Sequence, residues 1–115
     1  MPYFSIHTNQ TVEPSAQQAM LKRASAMAAE LLGKPESHVM VSMDDGAALI
    51  FGGTKEPAAF VELRSIGLPR EQCSGYAEEV SDFLEKELNV PRNRVFIDFT
   101  DLDRGLFALN GKTLA

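Results

Sequence analysis

Apolar residues recur along this chain with two alternating periods. Tyr3 to His7 is rich in the aromatic and β-branched side chains that suit a pleated, half-buried surface, and the polar run Thr8-Asn9-Gln10-Thr11 ends it, which predicts a first strand. From Glu13-Pro14 the period lengthens: Ala16, Met20, Ala24, Met27 and Leu31 recur at helical spacing as far as Gly33. Proline fits the first turn of a helix, where its missing N–H goes unused, and glycine suits the C-cap. Val39 to Met43 then reads as a strand, Asp44-Asp45-Gly46 as a turn, and Ala47 to Phe51 as a further strand, so the pair is expected to form a hairpin ending at Gly52-Gly53.

Ala59 to Ile66 alternates as a strand, with Val61, Leu63 and Ser65 on one face and Phe60, Glu62, Arg64 and Ile66 on the other. Pro69 opens a second helix. Its apolar face carries Cys73, Tyr76, Val80, Phe83, Leu84 and Leu88, and its opposite face Glu71, Glu78, Glu79, Asp82 and Glu85. Arg94 to Phe99 is the next strand, and Leu106 to Leu109 a short final one before Asn110-Gly111.

The chain contains an internal repeat. Pro35-Glu36-Ser37-His38-Val39-Met40-Val41 and Pro91-Arg92-Asn93-Arg94-Val95-Phe96-Ile97 share one pattern: proline, three residues, valine, any residue, branched aliphatic. Each copy follows a strand and a helix. Duplicated β-α-β units with helical crossovers imply parallel pairing within each unit. The expected fold class is therefore α/β, a two-layer sandwich with both helices on one face of a mixed four-stranded sheet and pseudo-twofold symmetry. Residues 1–115 form one domain, which is what this length accommodates. The strands also carry Phe4, Ile6, Met40, Phe60, Ile66, Phe96 and Phe99, more apolar surface than one covered face needs, so self-association is expected to bury the other face.

Charge narrows the partners. Sixteen acidic against 11 basic residues give a net charge of −5, which repels phosphate backbones and anionic lipid, so neither nucleic acid nor membrane is expected to bind. The single cysteine, Cys73, cannot close an intrachain disulfide and reads as a small core residue. The first residues show no basic flank followed by an apolar stretch, so a cytoplasmic location is expected, with signal-independent secretion also open.

Common catalytic frames are missing. His7 and His38 stand near no Gly-x-Ser-x-Gly turn, Gly52-Gly53-Thr54-Lys55 lacks the spacing of a phosphate loop, and Asp44-Asp45 and Asp101-x-Asp103 read as turn formers. No metal or cofactor is expected. The unusual candidate is Pro2. Removal of Met1 would free a secondary amine on a rigid ring at the start of a strand, and burial or a nearby ammonium would bring that amine toward its neutral, basic form.

Pro2, Thr8-Asn9, Gly33-Lys34-Pro35, Phe51-Gly52-Gly53, Glu56-Pro57, Ser65-Ile66-Gly67 and Arg94-Val95-Phe96-Ile97, in this order and spacing, resemble the macrophage migration inhibitory factor family of the tautomerase superfamily. The resemblance runs through the whole chain. It implies a homotrimer with active sites at subunit interfaces. There the N-terminal proline acts as general base in keto-enol tautomerisation of an aromatic α-keto acid such as phenylpyruvate. Residue by residue, it assigns Pro2 as the base and Lys34 as the cation for the substrate carboxylate or developing enolate. Ile66 takes the position whose backbone orients the ligand, Phe107 and Leu109 fall on apolar pocket positions, and His38 falls at the rim.

The chain departs from the mammalian members in places. Phe96 and Asp98 stand where a neighbouring subunit supplies a tyrosine and an asparagine, so the phenolic donor is gone and an acid replaces an amide. Ala58-Ala59-Phe60-Val61 replaces a Cys-x-x-Cys, which leaves thiol oxidoreductase chemistry without a dithiol. A second function class stands beside the enzyme: a cytokine-like or regulatory binding protein with a vestigial pocket.

Overall fold

In the computed structural model, which describes residues 1–115, both helices end where their sequences place a left-handed residue. Helix α1 spans Pro14–Leu32 and stops at Gly33, whose φ of 63° turns the chain so that the Gly33 and Lys34 amides bond back to the Glu30 and Ala29 carbonyls. Helix α2 spans Cys73–Leu88 and stops at Asn89, with φ 59° and its N–H on the Glu85 carbonyl. A short 3-10 turn, Arg70–Gln72, separates Pro69 from α2.

Four strands, β1 (Tyr3–Thr8), β2 (Met40–Asp44), β3 (Ala59–Ile66) and β4 (Val95–Leu102), form one sheet in the order β2-β1-β3-β4. β1 and β2 are parallel, as are β3 and β4, while β1 and β3 run antiparallel between them. The sheet is thus mixed, and each parallel pair is bridged by one helix. The sequence repeat recurs in space: Pro35 and Pro91 each precede a 3-10 turn, Glu36–His38 and Arg92–Arg94, that leads into the second strand of its unit.

Alternation along the strands sets the core. Phe4 and Ile6 of β1 and Val61 and Leu63 of β3 lie beneath Met20, Ala24 and Ala28 of α1 and Val80, Leu84 and Leu88 of α2, all buried. The alanines of α1 let its backbone approach the sheet closely, and burial of this set is the main favourable term in folding.

Three expectations need correction. Ala47–Ile50 forms no strand, so there is no hairpin. The segment is held instead by side chains and backbone from the β1 end: the Asn9 amide donates to the Leu49, Lys55 and Glu56 carbonyls, and the Ala47 amide donates to the Thr8 carbonyl. Gly52 and Gly53, with φ of 59° and 79°, then reverse the chain within the Phe51–Thr54 bridge. The last strand is shorter than expected. Arg104–Leu106 is a 3-10 turn, and β5 (Ala108–Leu109) pairs with β6 (Lys112–Thr113) around a tight reversal at Asn110-Gly111. Finally, the surplus apolar face is smaller than expected. Phe4 and Ile6 face the helices, Phe99 packs on the same core and Ile66 is buried at the end of β3. Only Met40, Phe60 and Phe96 remain exposed, at 67%, 39% and 59%, and polar side chains such as Ser5, Glu62 and Thr100 occupy the middle of the open face.

Candidate active site

Pro2 precedes β1, and its ring is buried. Its carbonyl accepts a hydrogen bond from the Met40 amide at 3.0 Å, which fixes the chain start against β2. Beside it lies a cavity of about 410 Å³. His38 reaches it from the turn before β2 and Met40 from the start of β2, Arg64 and Leu102 from the ends of β3 and β4, and the Leu106 to Leu109 segment closes it. The cavity is mostly apolar, the kind of surface that excludes water from a bound carbon skeleton. Tyr3 also lines it, but its phenol is tied to the Ser42 hydroxyl at 2.7 Å.

Electrostatics at the chain start are distinctive. The Met1 α-amine titrates below its ordinary value, chiefly because burial penalises its charged form, and further because Lys34 and Arg104 add positive charge nearby. Lys34 owes its place to the α1 cap, since its own amide closes the last hydrogen bond to Ala29. With Met1 attached, the Pro2 nitrogen is an amide. Without it, the amine moves one residue inward, into the more deeply buried position.

The residues expected at the site divide into three groups. Pro2, His38, Phe107 and Leu109 share the cavity. Lys34 lines a second, smaller cavity of about 220 Å³ together with Ser65 and Tyr76, and acts on the first through its charge; Ile66 is buried at the end of β3, two positions beyond Arg64. Phe96 and Asp98 lie elsewhere. They pair with Phe60 and Glu62, whereas the Pro2 end of the sheet is in register with Thr100, four residues along β4 from Phe96 and two from Asp98, or roughly 13 Å and 7 Å at strand rise. Phe96 stacks on Phe51 with ring centroids 4.9 Å apart. Within one chain, then, these two positions do not contribute to the Pro2 cavity.

Reactive alternatives are quiet. Cys73 is half-buried, with its Sγ 3.5 Å from the Pro69 carbonyl, and burial pushes its thiol up, which keeps it protonated and unreactive. No three His, Cys, Asp or Glu side chains converge on one point, and no helix is long and apolar enough to cross a membrane.

The macrophage migration inhibitory factor family model matches residues 1–115. The chain belongs to this family. It is accordingly a member of the tautomerase superfamily. A macrophage migration inhibitory factor homologue from Brugia malayi is 41% identical over 114 residues, covering 98% of each chain. The crystal structure of a homologue from Prochlorococcus marinus superposes with a TM-score of 0.91 at 34% identity, covering 98% of this chain and 99% of that one. A bovine D-dopachrome decarboxylase is 34% identical over 95 residues, or 81% of this chain and 80% of its own.

Within this family frame the cavity has lining residues that sequence patterning did not single out, Arg64, Leu102 and Leu106, and Arg104 acts near it by charge on the Met1 amine. Alternation put Arg64 on the exposed face of β3. Only the antiparallel register that sets Tyr3 opposite Arg64 brings it to Pro2, and the order of strands in the sheet was not part of the periodicity.

Proposed function

We propose that the protein is a keto-enol tautomerase of aromatic α-keto acids such as phenylpyruvate, with the Pro2 amine as general base once Met1 is removed. The observation that carries this reading is the buried Pro2 ring beside an apolar cavity; one residue away, desolvation, Lys34 and Arg104 already disfavour the charged form of the Met1 α-amine. A neutral amine at neutral pH accepts a proton from the carbon next to the keto group, and the oxygen gains one as the enol forms; the reverse sequence returns the ketone. No atom is gained or lost, so the reaction needs no redox partner. The Lys34 ammonium favours the carboxylate of the substrate and the negative charge that develops on its oxygen. His38 and Phe107 border the space for the ring.

The proposal includes a homotrimer. Exposed Phe60 and Phe96 lie at one end of the open sheet face, and exposed Met40 lies at the other, beside the Pro2 cavity. Contact between the two unlike ends of neighbouring copies is heterologous, and with a threefold rotation between copies it closes into a three-membered ring. In that ring Phe96 and Asp98 of a neighbouring subunit would reach the cavity that they do not reach within their own chain.

The test combines intact mass with the disappearance of phenylpyruvate enol. Demethionylated protein should convert it, and Pro2→Gly should lower kcat by about a hundredfold, the usual share of a positioned base. Equal, background-level rates in both would reject the enzyme and favour the binding-protein reading.

A further inference from the structure

Around Pro2 the charge runs against that of the whole chain. The protein carries a net −5, yet no carboxylate lines the cavity and Arg64 is its one permanently charged side chain. The aspartates at the end of β4 and just beyond are engaged elsewhere. Asp101 accepts hydrogen bonds from the Gly67 and Leu68 amides at 3.1 Å each, and Asp103 accepts one from the Gly105 amide at 2.8 Å. Arg23, Arg92 and Arg94 all hold partners within the chain: Glu87, Asp82 and the Pro57 carbonyl respectively. Arg64 holds none. Its strand neighbours in register, Tyr3 and Thr100, are uncharged. An unpaired guanidinium facing an apolar cavity is a ready donor for a carboxylate, which it grips through paired N–H groups better than any ammonium does.

We propose that Arg64 is a specificity-determining anion anchor, which fits the cavity to α-keto acids that carry a second carboxylate at the end remote from the keto group. Lys34 takes the α-keto carboxylate near Pro2, the apolar side chains of Leu106 and Phe107 hold the carbon skeleton, and Arg64 takes the distal carboxylate. The turnover part of this assignment rests on the tautomerase reading above; the binding part does not.

Two measurements on demethionylated protein keep those parts separate. Calorimetric titration with phenylpropanoate and its para-carboxylated analogue reads binding without reaction, and kcat/KM for phenylpyruvate and para-carboxyphenylpyruvate reads turnover. Wild type should prefer the dicarboxylate in both by about tenfold. Arg64→Gln should abolish the preference, Arg64→Lys should keep part of it, and Lys22→Gln, on the exposed face of α1, should keep all of it. If Arg64→Gln does not fold, the reduced preference of Arg64→Lys decides. A wild type without preference, or a preference that survives Arg64→Gln, would overturn the assignment. Preferential binding lost in Arg64→Gln but without turnover in wild type would uphold Arg64 and reject the tautomerase reading alone.

Discussion

Arg104 offers a cleaner handle on the proposed base than Lys34, because its charge already acts on the Met1 α-amine one residue away, while Lys34 is also assigned to the substrate. A positive neighbour lowers the amine pKa, so removing it raises that pKa and leaves less neutral base at a given pH. Arg104→Gln should therefore move the rising limb of the kcat/KM profile to higher pH, with the lost rate recovered above it; a shift to lower pH would contradict the electrostatic role. Asn9 makes a different kind of contribution. Its amide donates to three carbonyls of the 47–58 segment and its oxygen accepts from the Ala58 amide at 3.0 Å. Asn9→Ala should cost about 2 kcal/mol in urea denaturation, since it strands these groups without partners. Pro2, Lys34 and Phe107 were readable as candidates from their place in a family-like pattern. Arg104 was not, because it sits in a 3-10 turn with no periodicity and meets the amine only through the fold.

At the scale of elements, the two helix caps are equivalent in backbone shape but not in position. Gly33 and Asn89 share a left-handed φ, and only Gly33 is followed by a site residue. Gly33→Ala should cost about 1 kcal/mol in thermal or chemical unfolding, the penalty for a Cβ in that region, and Asn89→Ala less, since asparagine already carries a Cβ and gives up only its better tolerance of a left-handed backbone. Gly33→Ala alone should also raise KM, because it disturbs the turn that carries Lys34; equal KM effects from both would refute the link between cap and site. The same elements show what periodicity reveals. Pro14 and Gly33 bounded α1 correctly, and the alternation of Val61, Leu63 and Ser65 assigned the buried face of β3. Ala47 to Phe51 misled, because its apolar run imitates a strand while its hydrogen-bond partners, Thr8 and Asn9, lie far away in sequence. Apolar residues such as Phe4 and Ile6 were likewise assigned to an open face, because composition counts side chains without knowing which layer covers them.

For the whole molecule, the duplicated β-α-β plan was readable from the repeat at Pro35 and Pro91, whereas the order of strands and the meeting of Tyr3 with Arg64 were not. Light scattering should give three times the 12.6 kDa chain mass. Phe96→Glu, which places a charge on the exposed ring position, should dissociate the assembly and lower activity even though Phe96 lies away from Pro2 in its own chain; a fully active monomer would contradict a shared site. The role of Pro2 as base is tested by following its nitrogen by NMR of proline-labelled, demethionylated protein across pH, alongside kcat/KM for phenylpyruvate. This nitrogen should titrate below the range of a free proline amine, and activity should rise with the same midpoint. A nitrogen that stays protonated throughout the pH range of full activity would contradict that role.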